Sequence, residues 1–438
     1  MKAIIQAGGK GTRISSITGD TIPKPMLEVC GYPILYHQIM NLKKSGITDI
    51  IIIIGHLGNV IKEYFKDGQD LGVKISYFEE NQNNLLGTAG ALYYLKDKIN
   101  EDFIFLLADV FIDIDFKRMI KFHIENNAKI TLFAHPNSHP FDSDLIVENN
   151  NVVLDFDYKT NDRTKYNYKN IVNAGIIIFS NEVLDLLNEE KKYSYEKDIV
   201  VPYIKTNKVY TYISTEYAKD MGTPERYEMV INDYKTGLCK KRNLENKQKA
   251  IFLDRDGTII EYIPFLNKVS QVELLPLASE AIKKINKSEY LCIIITNQPI
   301  IARGESTIEN LDEIHKRLET LLGENGAYID KIYYCPHHPD KGFEGEVPEL
   351  KIKCDCRKPN IGMLEQAVKE YNIDLSKSFI IGDSTLDIKT GENAKMKSIL
   401  VKTGQKGLDN KFDINPTYIS NNLFEAIEII ERGIKNEF

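Results

Sequence analysis

The sequence predicts an α/β protein made of two doubly wound domains, and three observations lead to this prediction. Strand-like and helix-like segments alternate through both halves of the 438-residue chain, a pattern typical of right-handed βαβ units around a mostly parallel sheet. A chain of this length exceeds one ordinary hydrophobic core. The stretch KAIFLDRDGTII at 249–260 reads as the first strand and turn of a second domain, and it has the same pattern as the opening residues MKAIIQAGGKGT.

Composition limits the classes of partner. Hydrophobic residues make up 42% of the chain and charged residues 27%, which is typical of a soluble globular protein. The formal net charge of -7 gives no general attraction to nucleic acid or to anionic membranes. No apolar run approaches the roughly 20 residues of a membrane span, and the first residues lack a signal-peptide pattern. We therefore expect a cytoplasmic protein without nucleic-acid or membrane partners.

Strands and helices are expected in alternation. The expected strands of the first half are 3–6, 49–54, 74–78 and 103–107, and its expected helices are 33–45, 60–65, 88–95 and 224–235. The expected domains are 1–236 and 249–438, with a linker at 237–248. The join, TGLCKKRNLENKQ at 236–248, has few apolar residues and many charges, which favours a solvated linker over a nucleic-acid patch.

The loop after the first strand, AGGKGTR, is a candidate anion site because ligands bind at the carboxyl ends of the strands in such sheets. Gly8, Gly9 and Gly11 allow backbone N–H groups to approach an anion closely. Arg13 can hold a phosphate bidentately, and the flanking prolines of PKPM stiffen the segment that presents Lys24. A glycine turn with solvated cations is the structural alternative. The loop matches neither the P-loop nor the dinucleotide-binding pattern.

The combination GGKGTR followed by PKPM resembles the signature of the sugar-1-phosphate nucleotidyltransferases, and the resemblance covers residues 1–235. Five further stretches fit that family in order: LLGTAGAL, LLADVFIDID, NAG, EKD and DMGTP. One departure is Ala108, where the family often has glycine. The resemblance implies nucleotide binding by Gly8, Gly9, Gly11, Thr12 and Gly87, catalysis by Arg13 and Lys24, sugar-phosphate binding by Asn173, Glu196 and Lys197, and Mg²⁺ binding by Asp109 and Asp220.

The reaction of that family explains these residue types. A sugar 1-phosphate attacks the α-phosphate of a nucleoside triphosphate, and pyrophosphate leaves. Because the nucleophile is already an anion, positioning and charge screening matter more than a general base, and oxygen ligands suit Mg²⁺. A lone aspartate is often only a turn residue or an N-cap. Asp109, however, directly follows the apolar run FIFLLA, which puts it at the carboxyl edge of the sheet.

The second half opens on two aspartates, Asp254 and Asp256, directly after an apolar strand. Alternation in an extended segment puts both side chains on one side, where two carboxylates repel unless a cation or a proton intervenes. A D-x-D-G turn is the structural alternative, but a costly pair of like charges favours function. The chain then supplies a strand at 290–295 ending in TNQ, a lysine before a helix at 362–371, and a strand at 378–381 ending in GDSTLD.

This order of motifs resembles the haloacid dehalogenase superfamily of phosphohydrolases. The resemblance implies that Asp254 is the nucleophile that forms an aspartyl phosphate, and that Asp256 protonates the leaving oxygen and then activates water. The implied Mg²⁺ ligands are Asp254, the Asp256 carbonyl and Asp383, with Asp387 as a supporting carboxylate. The implied phosphate- and substrate-binding residues are Thr296, Asn297, Gln298, Arg303, Arg357 and Lys358.

Three of the six cysteines cluster in one short segment, which predicts a metal site in a reducing compartment. Cys335, His337, Cys354 and Cys356 form a C-x-H…C-x-C set that suits tetrahedral, structural Zn²⁺. Scattered core cysteines are the alternative, but the intervening HPDKGFEGEVPELK is too polar for a core. Because His338 neighbours His337, either histidine can be the ligand at this stage.

The set CPHHP…CDCRKPNIGM, together with TNQ…ARG, resembles the heptose 1,7-bisphosphate 7-phosphatase branch, whose relatives are the histidinol-phosphate phosphatases. Pro299 and Ile300 depart from the Ser-Gly common in that branch, and Ser384 stands where lysine is frequent. Together the two resemblances imply a bifunctional enzyme of heptose activation. It would remove the 7-phosphate from heptose 1,7-bisphosphate and transfer a nucleotidyl group, GMP, to the sugar 1-phosphate.

Two alternatives are open. The first is a hexose 1-phosphate transferase joined to a phosphatase of other specificity, such as histidinol phosphate. The second is that one half is a degenerate regulatory module, which the full residue sets of both halves oppose. In each enzymatic case the partners are sugar phosphates and a nucleoside triphosphate. The nucleobase, the anomer and self-association into a homo-oligomer are not fixed by the sequence.

Overall fold

The computed structural model describes residues 1–9, 12–19, 21–81 and 86–436. Gly11 therefore lies outside the described residues, and Thr12 is described only through its main chain. The chain divides into two compact units. The first unit comprises Met1–His135, Ile146–Asp157 and Val172–Glu245, and the second comprises Pro136–Leu145, Tyr158–Ile171 and Asn246–Phe438. The expected domain boundaries at 236 and 249 stay predictions.

The first unit is built on a nine-stranded sheet with two small two-stranded sheets. Its strands are β1 Lys2–Ala7, β2 Glu28–Val29, β3 Tyr32–Pro33, β4 Asp49–Ile54, β5 Lys74–Glu79, β6 Phe103–Leu107, β7 Val110–Asp113, β8 Ile130–His135, β9 Leu145–Asn149, β10 Val152–Asp157, β11 Val172–Phe179, β12 Val209–Ile213 and β13 Tyr217–Asp220. Its α-helices are α1 Ser15–Thr18, α2 Ile34–Lys44, α3 Gly58–Phe65, α4 Ala91–Leu95, α5 Phe116–Glu125, α6 Val201–Ile204, α7 Pro224–Lys235 and α8 Leu238–Arg242.

The large sheet has the order β5-β4-β1-β6-β11-β8-β12-β10-β9. Strands β5, β4, β1 and β6 run parallel, whereas β11 pairs antiparallel with both β6 and β8. Strand β4 is a run of isoleucines that is buried from Ile50 to Ile54, as a central parallel strand covered on both faces requires. The expectation of a mostly parallel sheet therefore holds for the first four strands, and the rest of the sheet is mixed.

Two local expectations in the first unit are wrong. The helix expected at 88–95 begins only at Ala91, because Gly87 forms a β-bridge with Tyr193 and the chain turns before the helix starts. The join is not a solvated linker, since α8 lies within it. Cys239 and Leu244 are buried there, and their apolar burial outweighs the charges around them.

The second unit contains a six-stranded, all-parallel sheet of order β16-β15-β14-β17-β18-β19. Its strands are β14 Lys249–Leu253, β15 Tyr290–Asn297, β16 Lys331–Cys335, β17 Phe379–Gly382, β18 Lys397–Val401 and β19 Tyr418–Ser420. Its α-helices are α9 Ala278–Asn286, α10 Ile308–Glu324, α11 Gly362–Tyr371, α12 Thr385–Asn393 and α13 Leu423–Asn436.

Strands β14, β15 and β17 lie side by side at the centre of this sheet, and the apolar residues Ala250 to Leu253 of β14 are buried. Their carboxyl ends reach the same edge, which is where ligands bind in parallel α/β sheets. The prediction of two α/β domains is confirmed. Within the described ranges, none of the helices is both long and apolar enough to cross a bilayer.

Candidate active sites

The first unit has a cavity of about 410 Å³ at the carboxyl edge of β1 and β6. We call it the first cavity. The residues that line it come from the ends of these strands and from the loops beside them: Gln6, Ala7, Gly8, Gly9, Arg13, Ile14, Lys24, Pro25, Glu80, Gly87, Thr88, Leu107, Ala108, Asp109 and Gly222. The structure thus brings together six of the predicted residues of this half.

Two of the predicted glycines are required by close packing. A Cβ atom on Gly8 would lie 2.2 Å from Oε2 of Glu80, so any side chain there would displace that carboxylate. Gly87 has a φ of +79°, in the region that favours glycine. A Cβ atom on Gly87 would lie 2.6 Å from the Tyr193 carbonyl oxygen. At both positions, therefore, the main chain lines the cavity without a side chain.

One predicted cation of the first cavity, Lys24, is paired with the predicted carboxylate of Asp109. Nζ of Lys24 lies 2.7 Å from Oδ2 of Asp109, and the lysine is only 7% exposed. Strand β13 places Asp220 opposite Val110, the residue after Asp109. A Cβ atom on Gly222 would lie 2.7 Å from Oδ1 of Asp220 and 3.3 Å from Nη2 of Arg13, which puts this arginine beside that aspartate.

Asp220 already has two donors. The Gly222 backbone N–H donates to Oδ1 at 2.9 Å, and Nη1 of Arg226 donates to Oδ2 at 2.6 Å. Asp109 is likewise bound to Lys24 in this structure. Asp109 lies in the turn before β7, and Asp220 ends β13, which pairs with β7. Phosphate groups and Mg²⁺ can replace the cations that these two carboxylates bind in this structure.

Among the described residues, the lining of the first cavity does not include the predicted sugar-binding residues Asn173, Glu196 and Lys197. The Tyr195 backbone N–H donates to Oγ1 of Thr88 at 3.0 Å, and Nδ2 of Asn173 donates to the Tyr195 hydroxyl at 3.3 Å. Glu196 and Lys197 follow in the π-helix Tyr195–Val200, which Ser194 caps. The structure thus links Asn173 through Tyr195 to Thr88, which lines the cavity. It places Glu196 half-buried and Lys197 exposed in the next turn.

Glu80 is a candidate binding residue that the sequence reasoning missed. It is 4% exposed, follows β5 directly and lines the first cavity. Among the described residues, neither Oε1 of Glu80 nor Oε1 of Gln6 has a hydrogen-bond partner. Burial raises the pKa of the Glu80 carboxyl, and hydrogen bonds from Gln6 and Leu86 partly oppose that rise. The available signal was a carboxylate at the end of a parallel strand, at the same edge as Gly8.

The second unit has a larger cavity, of about 670 Å³, at the carboxyl edge of β14 and β15. We call it the second cavity. Its lining contains nine of the predicted residues: Asp254, Asp256, Thr296, Asn297, Gln298, Arg303, Arg357, Lys358 and Asp387. The two aspartates of the D-x-D motif do face one space, as the alternation of the strand requires.

A buried lysine bridges two of the carboxylates. Nζ of Lys358 lies 2.7 Å from Oδ1 of Asp254 and 2.5 Å from Oδ1 of Asp387. Burial raises the pKa of Asp254 to about 7, against the lowering effect of the Lys358 charge. Burial disfavours the charged lysine as well, but attraction to Asp254 and Asp387 outweighs it and raises the pKa of Lys358. These three groups form one ion-paired network, in which the side chains of Lys358 and Asp387 are almost fully buried.

Asp383 completes a set of three buried carboxylates. Oxygen atoms of Asp254, Asp383 and Asp387 all lie within 4.8 Å of one another. Burial raises the pKa of Asp383 to about 8, and the charges of Asp254 and Asp387 add to the rise. One lysine cannot neutralise three carboxylates, so the donor set fits a divalent cation with oxygen ligands. Cβ atoms on Gly257 and Gly404 would lie 2.2 and 2.1 Å from Oδ2 of Asp383, so both glycines are needed to admit this carboxylate.

The Asp256 carboxylate is held by different partners. Nη2 of Arg255 donates to Oδ1 at 3.0 Å and to Oδ2 at 2.9 Å, and Nε2 of Gln298 donates to Oδ2 at 3.1 Å. Gln298 also donates to Oγ1 of Thr296 at 2.9 Å. With its side chain engaged in this way, Asp256 has only its main-chain carbonyl to offer a metal. The carboxylate beside Asp254 and Asp383 is that of Asp387.

Lys358 is positioned through its backbone. Its N–H donates to Oδ1 of Asn297 at 3.0 Å, and Nδ2 of Asn297 donates back to the Lys358 carbonyl oxygen at 3.1 Å. This reciprocal pair ties the segment before α11 to the end of β15. Asn297 therefore acts on the lysine rather than on the centre of the cavity.

The predicted cysteines and one histidine form a compact cluster. The Sγ–Sγ distances among Cys335, Cys354 and Cys356 are 3.5, 3.2 and 3.3 Å. Nδ1 of His337 lies 3.3 Å from Sγ of Cys356 and 3.7 Å from Sγ of Cys335. These separations exceed the roughly 2.05 Å of a disulfide and approach the edges of about 3.7 Å that tetrahedral Zn–S bonds of about 2.3 Å produce. His337, not His338, is thus the histidine of the cluster.

Cations next to this cluster line the second cavity. Nη1 of Arg357 donates to the His337 carbonyl oxygen at 3.2 Å, which fixes that arginine to the Cys/His cluster. The Arg303 guanidinium lies 4.7 Å from the ring of Phe265 and 4.6 Å from the ring of Phe343, and His338 lies 3.4 Å from it. The cavity therefore has a cationic wall in addition to Lys358.

Comparison with known proteins agrees with both halves. Residues 2–237 match the family model described as nucleotidyl transferase, and residues 355–426 match the one described as HAD-hydrolase-like. The chain is 41% identical over 187 residues to a D-glycero-alpha-D-manno-heptose-1,7-bisphosphate 7-phosphatase from Photorhabdus laumondii, spanning 42% of this chain and 98% of that protein. It is 41% identical over 160 residues to a D-glycero-beta-D-manno-heptose-1,7-bisphosphate 7-phosphatase from Pasteurella multocida, spanning 36% and 84%.

A solved structure resembles part of the chain. It is a putative glucose-1-phosphate thymidylyltransferase from Bacillus anthracis, with 25% identity and a TM-score of 0.47, and the match covers 53% of this chain and 94% of that one.

Proposed function

Since this chain belongs to the nucleotidyl transferase family and, in its other part, to the family of HAD-like 7-phosphatases, we propose that it catalyses two steps of heptose activation. The phosphatase step removes the 7-phosphate from a heptose 1,7-bisphosphate. The transferase step then joins the remaining 1-phosphate to a nucleotidyl group from a nucleoside triphosphate and releases pyrophosphate. The names of the 7-phosphatases similar to this chain support the sugar, and the two cavities support the two chemistries.

The phosphatase step uses covalent catalysis. A carboxylate oxygen of Asp254 attacks phosphorus, the bond from phosphorus to the sugar oxygen breaks, and Asp256 gives that oxygen a proton. Water then attacks the aspartyl phosphate, Asp256 accepts a proton from it, and phosphate leaves with Asp254 restored. Lys358, at 2.7 Å from Asp254, holds the nucleophile and neutralises phosphoryl oxygens that enter, and Thr296 is a further donor to them.

Mg²⁺ fits beside this nucleophile. Asp254, Asp383 and the main-chain carbonyl of Asp256 would hold it, with Asp387 as the neighbouring carboxylate, and it would screen the charge of the phosphoryl group. The observation that carries the phosphatase proposal is the set of three buried carboxylates with one bridging lysine, next to a fourth carboxylate held separately by Arg255. Asp254 and Asp256 thus lie in two different environments, and two carboxylates need different environments to act as nucleophile and as general acid.

In the transferase step the protein supplies positions and positive charge. Arg13 and Lys24 lie in the first cavity beside the predicted Mg²⁺ ligands Asp220 and Asp109. We propose that both cations turn to the triphosphate when it binds, and that Gly8, Gly9, Gly11 and the Thr12 main chain bind its phosphates. Asn173, Glu196 and Lys197 then bind the sugar phosphate.

We propose guanine as the base, because of two acceptors in the first cavity. Oε1 of Glu80 and Oε1 of Gln6 have no partner among the described residues, and Gly87 lets a flat ring approach the backbone. Guanine presents two adjacent donors, N1–H and N2–H₂, which match a carboxylate. Uracil, thymine, cytosine and adenine lack two adjacent donors on that edge, so each would turn an acceptor toward one oxygen of the Glu80 carboxylate and be repelled.

For the Cys335–His337–Cys354–Cys356 cluster we propose structural Zn²⁺. Three thiolates and one imidazole fill a tetrahedral site without an open position. Burial raises the pKa of the Cys356 thiol in the absence of a cation, so binding of the metal must release protons. The role of the ion is to hold against the second cavity the segment that carries His338 and Arg357. His338 in turn contacts Arg303.

One experiment tests the proposal. Purified protein is incubated with D-glycero-D-manno-heptose 1,7-bisphosphate and Mg²⁺ plus each of the four nucleoside triphosphates, and phosphate and pyrophosphate are measured separately. We expect phosphate with every nucleotide and pyrophosphate with GTP. Pyrophosphate without prior phosphate, or no phosphate at all, would contradict the proposal.

A further inference from the structure

Arg255, between the two aspartates of the D-x-D motif, is buried with only 1% of its surface exposed. Its guanidinium reaches forward to the neighbouring Asp256 carboxylate and binds both oxygens through Nη2, while Nε lies 3.3 Å from Oδ1. Burying a guanidinium costs free energy unless its N–H donors are hydrogen-bonded, so a buried arginine at this position requires an explanation.

The opposite edge of the guanidinium contacts a buried histidine on α10. Nη1 of Arg255 lies 3.2 Å from Nε2 of His315, which is 7% exposed. An arginine has only donors, so Nε2 must be the acceptor, and the ring must be neutral with its proton on Nδ1. Burial, assisted by the Arg255 charge, lowers the pKa of His315 well below its ordinary value, in agreement with a neutral ring.

The backbone of Arg255 is fixed too. Its carbonyl oxygen accepts from the N–H groups of Ile259 at 3.0 Å and Ile260 at 3.2 Å. Arg255 is therefore held at three places. Its main chain is fixed by Ile259 and Ile260, one edge of its guanidinium contacts His315, and the other edge binds Asp256. A guanidinium held in this way cannot move with the substrate. Its planar, rigid arrangement of N–H donors fixes the orientation of the carboxylate that it binds.

We propose that His315 and Arg255 form a positioning pair that holds the Asp256 carboxylate in the orientation for proton transfer to the leaving oxygen. This inference rests on the proposed phosphatase step and adds two residues to it. Neither residue touches the substrate in this account. In the balanced step, Asp254 bonds to phosphorus, the sugar oxygen leaves and takes the proton of Asp256, and the resulting Asp256 carboxylate is matched by the guanidinium already in place.

The leaving group distinguishes positioning of the acid from general support of the fold. A sugar alkoxide needs the proton, whereas p-nitrophenolate leaves without one. We therefore measure leaving-group release in the first turnover, with enzyme in excess over heptose 1,7-bisphosphate or p-nitrophenyl phosphate. The first turnover excludes the later hydrolysis of the aspartyl phosphate, in which Asp256 acts again.

The variants are Arg255→Lys, which keeps the charge and loses the fork, and His315→Phe, which keeps the ring and loses the acceptor. We expect sugar release to slow by roughly 10-fold or more, a part of the 10²–10⁴-fold that acid catalysis provides, while the enzyme concentration that gives the half-maximal rate changes by less than about 3-fold. Release of p-nitrophenolate should change by less than about 3-fold. His315→Gln, whose amide oxygen can replace Nε2, should restore sugar release, and Arg317→Lys on the same helix is the matched control.

Equal slowing for both substrates, or unchanged sugar release in His315→Phe, would overturn the positioning role. A protein that releases phosphate from neither substrate before any substitution would instead overturn the proposed phosphatase function. Failure of His315→Gln to recover sugar release, with its thermal unfolding unchanged, would also contradict the acceptor role assigned to Nε2.

Discussion

Glu216 makes the stability of the first unit depend on pH in a way that can be worked out from its surroundings. The side chain is 4% exposed. Oε1 accepts from the Asp115 N–H at 2.7 Å and the Leu244 N–H at 3.0 Å, and the Ser214 hydroxyl lies 3.1 Å from Oε2. Burial raises the pKa of this carboxyl from 4.5 to about 7, although the hydrogen bonds from Leu244, Asp115 and Ser214 oppose the rise.

The sign follows from proton binding. Between pH 4.5 and 7 the folded state keeps a proton that the unfolded state loses, so the free energy of unfolding falls as the pH rises. The difference of 2.5 between the two pKa values, at about 1.4 kcal/mol per pKa unit, corresponds to about 3 kcal/mol. This stability is present in full below pH 4.5 and is lost once the pH passes about 7.

The perturbation is Glu216→Gln. The amide oxygen keeps both backbone hydrogen bonds and the amide NH₂ donates to Ser214, so the contacts remain while the ionisation disappears. Calorimetric unfolding at pH 5 and pH 8 gives the comparison. Relative to the unchanged protein, we expect the variant to gain about 2.5 kcal/mol between pH 5 and pH 8, because a part of the effect is already lost at pH 5.

The matched control is Glu63→Gln, at an exposed glutamate of α3, which should leave the pH dependence as it is. If Glu216→Gln loses stability between pH 5 and pH 8 as steeply as the unchanged protein, then the carboxyl is not the source of the dependence and the reasoning is wrong.

Three further predictions concern the two sites. Asp254→Asn should lower phosphate release by at least about 10³-fold because the nucleophile is gone, and pyrophosphate release from heptose 1-phosphate and GTP should be retained; loss of both with normal circular dichroism would oppose two separate sites. Glu80→Gln should reduce the preference for GTP over ATP by roughly 10-fold or more, since the carboxylate acceptor is lost, and an unchanged preference in competition assays would remove guanine recognition from Glu80. Cys356→Ser should lower bound zinc, measured by atomic emission, from one ion to less than one per chain and lower the unfolding temperature; absence of zinc from the freshly purified, unchanged protein would sink the zinc proposal.

The proximity of the proposed catalytic residues could be predicted from the sequence because each lies at the carboxyl end of a strand or directly after it. Asp254 follows β14, Thr296 and Asn297 end β15, and Asp383 follows β17. In a parallel sheet these ends meet, so short-range pattern is enough to predict their proximity. The Cys335–His337–Cys354–Cys356 cluster could be predicted from the C-x-H…C-x-C spacing, because four side chains that can bind a metal within one short segment have few alternative arrangements.

Residues that act across long sequence distances were missed. His315 lies 60 residues from Arg255, and a single histidine in an amphipathic helix gives no signal of its partner. Glu80 was passed over because it stands outside the motif that carries Gly87. The join was misread because Lys240 and Lys241 dominate its composition, while Cys239 and Leu244 determine its packing.

The most direct test of the central claim, that two sites act in sequence on one sugar, compares the unchanged protein with Asp254→Asn. Each is given heptose 1,7-bisphosphate, GTP and Mg²⁺, and both products are followed over time. We expect the unchanged protein to release phosphate first and then pyrophosphate in equal amount. Asp254→Asn should release neither until heptose 1-phosphate is added, when pyrophosphate appears at the normal rate. Pyrophosphate released by Asp254→Asn directly from the bisphosphate at the normal rate would contradict the account.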